Sequence, residues 1–97
     1  MRNKYSVIWS QRSKDKTDQI VDYLTQEWTD KEVFNYLNLL KNFEEIVGRF
    51  PKLFPKSDSH PKGYRRAVIS KHYSVIYRIE SKTIFVVTIQ DNRELNA

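Results

Sequence analysis

All three prolines of this chain, Pro51, Pro55 and Pro61, fall in one stretch, "PKLFPKSDSHPKG" (residues 51–63). A proline has no amide hydrogen to give a ladder, and its ring clashes with a preceding helical turn. This stretch therefore ends a helix and cannot be a central strand. The residue pattern changes across it, from helical spacing before to strand alternation after. A connection of ~13 residues is long for a small domain, which marks it as a functional or mobile segment. Phe54 is the side chain expected to pin it to the core.

Before the prolines, "YSVIW" (Tyr5 to Trp9) is β-branched and aromatic and reads as a first strand. Ile20, Leu24 and Trp28 then recur every fourth residue, with Val21 and Tyr23 widening the stripe, so about 15–28 forms an amphipathic helix. "TDKE" (Thr29 to Glu32) fits a capping box, in which the Thr29 hydroxyl accepts from the Glu32 amide and the Glu32 carboxylate reaches back. A second helix starts at Asp30, with Tyr36, Leu40, Phe43, Val47 and Phe50 on its apolar face, joined by Leu37 and Ile46. With so few residues between them, the two helices form an antiparallel hairpin.

After the prolines, three strands are predicted near 64–71, 73–80 and 83–90, with "ESK" (Glu80 to Lys82) as a tight hairpin turn. No glycine or asparagine marks a turn between Lys71 and Tyr73. The order β-α-α-β-β-β implies an α+β fold, a single domain over 1–97, with the helical hairpin on one face of a mainly antiparallel four-stranded sheet. A chain of 97 residues can bury roughly 60–70% of its surface around one core.

Charge follows the same division. Residues 1–14 hold four basic and no acidic side chains, residues 15–50 four basic and eight acidic, and residues 51–82 eight basic and two acidic. The net charge of +5 thus conceals an acidic middle and a basic third quarter, which suggests faces of opposite sign. Either the charges are spread over a solvated surface or they meet a polyanionic or acidic partner. With no cysteine there is no disulfide or thiolate zinc site, and a reducing compartment fits. Two histidines, His60 and His72, are too few for a His-rich metal site, so no metal or other cofactor is expected. Arg2 and Lys4 precede an apolar run far too short for a signal peptide or membrane span, which makes the cytoplasm the expected location.

Side chains alternate across a strand, and parity sorts the cations. Tyr73, Val75, Tyr77 and Ile79 share a face apolar enough to meet the helices, while His72, Ser74, Ile76 and Arg78 share the other. On the last strand Phe85, Val87 and Ile89 read as core-facing, with Ile84, Val86, Thr88 and Gln90 outward. Arg65 and Arg66 must point to opposite faces, so one of them joins Arg78 directly. That arginine, Arg78, and His72 or Lys71 are expected to converge on the uncovered face, with Gln90 and Arg93 at its edge. Each has a plainer use: a strand arginine can be a solvated stem over apolar surface, and a histidine simply exposed.

The chain also resembles the RelE/ParE superfamily of bacterial toxin–antitoxin toxins, which includes plasmid stabilisation proteins. The likeness spans nearly its whole length. It rests on "WS" (Trp9-Ser10), "IVDYLTQEW" (Ile20 to Trp28), "FPKLFP" (Phe50 to Pro55), "GYRR" (Gly63 to Arg66), "KHYSVIYRI" (Lys71 to Ile79) and "DNR" (Asp91 to Arg93). Ser13 and Thr17 depart from the family's usual alanine and leucine, and the tail reads "ELNA". It lacks the terminal His-Tyr pair that is catalytic in several RNA-cleaving members, and "GYRR" is closer to the ParE branch, whose members act on DNA gyrase.

The resemblance implies two mechanisms and one partner. A RelE-like toxin cleaves messenger RNA in the ribosomal decoding site by attack of a ribose 2′-OH, without a metal. Lys71 or His72 would then serve as base or acid, and Arg65 or Arg66 with Arg78 would stabilise the phosphorane. A ParE-like toxin cleaves no bond, and Arg65, Arg66, Arg78, Gln90 and Arg93 would bind the target or the antitoxin. Both imply a cognate antitoxin, bound in a hetero-oligomer, that folds along the basic face or adds to a sheet edge. A non-toxic nucleic-acid-binding module would also use the basic content. Against it stand the helix-first order and the lack of a surface row of aromatic residues.

Overall fold

Ser10 converts the first strand into the first helix. In the computed structural model, which describes residues 4–93, β1 (Ser6–Trp9) ends there and α1 (Gln11–Glu27) begins. The Ser10 hydroxyl accepts from the Ser13 amide at 3.0 Å and donates to the Val87 carbonyl at 2.7 Å. This cap starts the helix four residues ahead of the predicted start near residue 15, because an N-cap needs no apolar neighbour. Both departures from the family pattern are satisfied locally. Ser13, fully buried, donates to the Ser10 carbonyl, and Thr17 shares a hydrogen bond with the Tyr36 hydroxyl.

α2 (Asp30–Arg49) follows almost at once. The expected capping box does not form, because the Thr29 hydroxyl donates to the Glu32 carboxylate instead of accepting from an amide. That bond holds the Glu32 carboxyl below its ordinary range. Trp28 is 57% exposed and Phe50 60%, although both continue an apolar stripe. Each lies one residue past its helix end, with extended or irregular dihedrals that turn it off the helical face. Leu37 and Ile46 are exposed because each sits ~100° around the helix from a buried neighbour, Tyr36 or Val47.

The sheet contains β2 (Arg65–Val68), β3 (Tyr73–Glu80) and β4 (Thr83–Asp91), in the order β1-β4-β3-β2. β1 runs parallel to β4, and the other pairings are antiparallel. The β3–β4 turn is the predicted one, with Ser81 at φ 54°. The β2–β3 connection is longer than predicted, since β2 ends at Val68. Its turn chemistry comes from Ser70, whose hydroxyl accepts from the His72 and Tyr73 amides at 3.2 Å each.

Register corrects the facing of β4. Tyr77 pairs with Val86 and Ile76 with Thr88, so Val87 is an extra residue in a bulge. Parity counted through a bulge inverts on its far side. Ile84 and Val86 are therefore buried with Ile89 against the helices, and Phe85 lies on the opposite face.

Phe43, Val47, Ala67, Val75, Tyr77, Ile84 and Val86 form one buried cluster, while Ile20, Leu24, Tyr36, Tyr73 and Ile89 form another. Phe54 packs against Phe43 and Tyr77 at centroid distances of 6.0 and 6.3 Å, pinning the proline segment as expected. The Tyr77 hydroxyl donates to the Pro51 carbonyl at 2.7 Å. Further along, Lys56 bridges to Arg65, and the Ser57 amide donates to the Tyr64 carbonyl at 2.8 Å. The segment thus covers part of the β2 edge, which would otherwise invite pairing with another chain.

Burial pushes the hydroxyl pKa of both Tyr36 and Tyr77 up to about 12. A folded-state pKa above the unfolded value of about 10 adds stability below pH 10, and this is lost as pH rises through 12. Unfolding midpoints in urea should therefore fall between pH 10 and 12, and Tyr77→Phe should flatten that fall. A midpoint unchanged up to pH 12 would show that these hydroxyls ionise freely in the fold.

Candidate target-binding face

The helices cover one side of the sheet, and the cations on the other side are set by register. Arg66 pairs with Ile76 across β2 and β3, so it shares the open face with Ile76, Ser74 and Arg78. Gln90, opposite Ser74 on β4, joins them. The structure thus brings three of the predicted site residues, Arg66, Arg78 and Gln90, to one surface.

Each is held differently. Arg66 donates from Nη2 to the Asn92 side-chain carbonyl at 3.0 Å, and the Ser74 hydroxyl donates to the same oxygen at 2.6 Å. Arg78 pairs with Glu80 at 3.0 Å, and its guanidinium carbon lies 4.6 Å from the centroid of the Phe85 ring. Gln90 Oε1 and Arg66 Nε are buried polar atoms without a hydrogen-bond partner among the described residues.

The remaining candidates lie elsewhere. Arg65 faces the helix side and donates to the Phe54 carbonyl at 2.6 Å, which fastens the proline segment. Arg93 forks onto Asp91 at 2.9 and 2.7 Å. The fork holds the Asp91 carboxyl below its usual range and raises the guanidinium in turn. Arg93 also lines a hollow of about 260 Å³ beside α1, with Tyr23, Trp28, His72 and Tyr73. Lys71 and His72 are exposed in the β2–β3 turn, at the end of the sheet.

The open face is not bare. Ser74 and Ile76 have no exposed surface. Part of the proline segment crosses the face. Lys56 to Ser59 border a cavity of about 330 Å³ with Arg66 and Val68, and His60 faces Thr88 and Gln90 across one of about 590 Å³. Arg12 and Lys16 of α1 also line the larger cavity, whereas Asp15 is the acid there. His60 is fixed by the Ser57 hydroxyl at 2.7 Å and stacks on Tyr64 at 6.4 Å. Ser74 lies on this surface as strand parity predicted, whereas sequence reasoning missed Asn92, Phe85 and His60 as members of it. The "DNR" motif was the one signal for Asn92, and nothing short of the bulge would have placed Phe85.

Among the described residues no group of histidine and acidic side chains is arranged to hold a metal ion, and no helix is long and apolar enough to cross a membrane.

No curated protein matches the chain significantly by sequence. Its fold is similar to a chain of the chromosomal ParDE toxin–antitoxin system of P. aeruginosa, with TM-score 0.76 and 14% identity over 93% of this chain and 98% of that one. It is similar, too, to a chain of the E. coli DinJ-YafQ toxin-antitoxin complex, at TM-score 0.65 and 14% identity, covering 97% and 99%. A chain of the RelBE2 toxin-antitoxin complex of Mycobacterium tuberculosis gives TM-score 0.61 at 13% identity, covering 91% and 98%. The sequence model of the family described as "ParE toxin of type II toxin-antitoxin system, parDE" matches residues 7–96. With nearly all of its length inside that match, the chain belongs to the ParE toxin family and is the toxin component of a type II toxin–antitoxin system.

Proposed function

We propose that this toxin arrests growth in the cytoplasm as a ParE-like inhibitor of DNA gyrase. In this reading it lays the open face of its sheet against the target and cleaves no bond. The observation that carries the proposal is the spacing of its cations. Arg78 occupies the far part of the face, whereas Lys71 and His72 precede β3 and the Arg66 guanidinium reaches back toward their turn through Asn92. At ~3.3 Å per residue, Arg78 lies about 17 Å or more along the strand from His72. A 2′-OH cleavage needs a base, an acid and charge stabilisation around one phosphate. Cations spread over that length suit an extended binding surface better.

The partner that silences the toxin is a cognate antitoxin. Trp28, Phe34 and Leu37 near the helical turn, and Ile46, Phe50 and Leu53 beyond it, are large apolar side chains left exposed. An amphipathic antitoxin segment that orders on binding would cover such residues.

Induced alone, the protein should stop cell growth, and co-expression of the neighbouring small open reading frame should restore it. Broken chromosomes with intact messages are the expected result. New transcript ends in phase with codons would instead assign the ribosome-dependent nuclease reading, with Lys71 or His72 in the chemistry. Undisturbed growth with soluble, folded protein would remove the toxic activity altogether.

A further inference from the structure

Arginines in this fold are commonly held by acids: Arg78 by Glu80, Arg93 by Asp91 and Arg49 by Glu45. Arg66 is different. Its side-chain hydrogen-bond partner is the neutral amide of Asn92, from a strand end 26 positions away in sequence.

That amide is fully used. Its oxygen accepts from Arg66 Nη2 and from the Ser74 hydroxyl, at 3.0 and 2.6 Å. Its nitrogen donates to the Ser70 and Lys71 carbonyls at 3.2 Å each. The Asn92 backbone amide donates to the His72 carbonyl at 2.7 Å, which ties the residue to the β2–β3 turn. Two acceptor sites and two donors account for all that a side-chain amide offers. A rotated amide would set its N–H groups against a guanidinium and its oxygen against two carbonyls, so the orientation is dictated by the partners. An aspartate could fill only the accepting half, and would cancel the charge it holds.

Resting on the reading of the open face as the target face, we propose that Asn92 is a positioning residue: it fixes the Arg66 guanidinium for an anionic group of the target while leaving its charge unneutralised. The buried Arg66 Nε, without a hydrogen-bond partner among the described residues, fits a side chain set by its surroundings and not by solvent.

Substitutions at Asn92 separate this role from simple support. Asn92→Ala removes every side-chain bond but adds no charge. Asn92→Asp keeps an acceptor for Arg66 and Ser74 but sets a carboxylate beside the guanidinium. As mere support, the loss of growth arrest should follow each variant's loss of stability, read from the urea midpoints. As a charge-preserving clamp, Asp should be the more harmful to growth arrest, matching Arg66→Gln, which is expected to raise survival by about 30-fold or more.

The test counts surviving colonies after induction for the wild type, R66Q, N92A, N92D and the R66Q/N92D double variant, with urea midpoints measured on each purified protein. We expect N92D to exceed N92A in survivors, and N92D to add nothing in the R66Q background, because both act through one charge. Additive effects, or N92A exceeding N92D, would overturn the inference. If N92D does not fold, N92A takes its place in the cycle with R66Q, and additivity there overturns it equally. Unchanged killing by a folded R66Q would instead remove the open face as the target face, a failure distinct from that of Asn92.

Discussion

Phe43→Ala should lower the free energy of unfolding by about 3–5 kcal/mol. Phe43 is 2% exposed and lies within 6.1 Å of the Trp9 ring, 6.0 Å of Phe54 and 5.7 Å of Tyr77, centroid to centroid. These contacts join α2 to β1, to the proline segment and to β3. Truncation leaves a cavity lined by rigid rings, which collapse poorly into the space. Domains of this kind have a total stability of about 5–15 kcal/mol, so one substitution should remove a large share. Urea denaturation measures the loss, and limited proteolysis in residues 51–63 should quicken as Phe54 loses its support. A loss below about 1.5 kcal/mol would mean that the three contacts are replaceable and that the core closes over the gap.

Arg78→Ala should separate toxicity from stability. The Arg78–Glu80 pair is substantially exposed, with side-chain exposures of 35% and 64%, and pairs of that kind contribute about 0–1 kcal/mol. Its stacking on Phe85 adds about 0.5–1 kcal/mol. The urea midpoint should therefore shift slightly. Survival after induction should rise roughly 30-fold, equivalent to about 2 kcal/mol, if the guanidinium meets an anion of the target. Arg78→Lys keeps the charge but loses the flat stack, and should fall between the two. Killing equal to wild type by the alanine variant would take Arg78 out of the face.

Helical spacing before the prolines and alternation after them were enough to read the element order and the hairpin. They failed where a residue's direction is set by something other than period. Trp28 and Phe50 continue a stripe on paper, but each has already left its helix. Thr29 and Glu32 satisfy the capping-box pattern, but their side chains bond to each other. Parity put Arg65 and Arg66 on opposite faces, yet only packing could say which, and buried Ala67, two residues from Arg65, marks the helix side. The β2–β3 turn carries no glycine or asparagine of its own. Ser70 caps it from within, and two further donors come from Asn92, distant in sequence, which no local pattern reveals.

The bulge in β4 also bears on how this strand tolerates changes in length. With the Val87 codon lost, every other residue from Thr83 to Asp91 could keep the cross-strand neighbour it has now, because the bulge already leaves Val87 out of the count. The shorter strand would cost the carbonyl that receives the Ser10 hydroxyl, and with it one fastening between the first helix and the sheet. Relatives one residue shorter at this point could therefore present the same chemistry on both surfaces while holding their first helix less firmly.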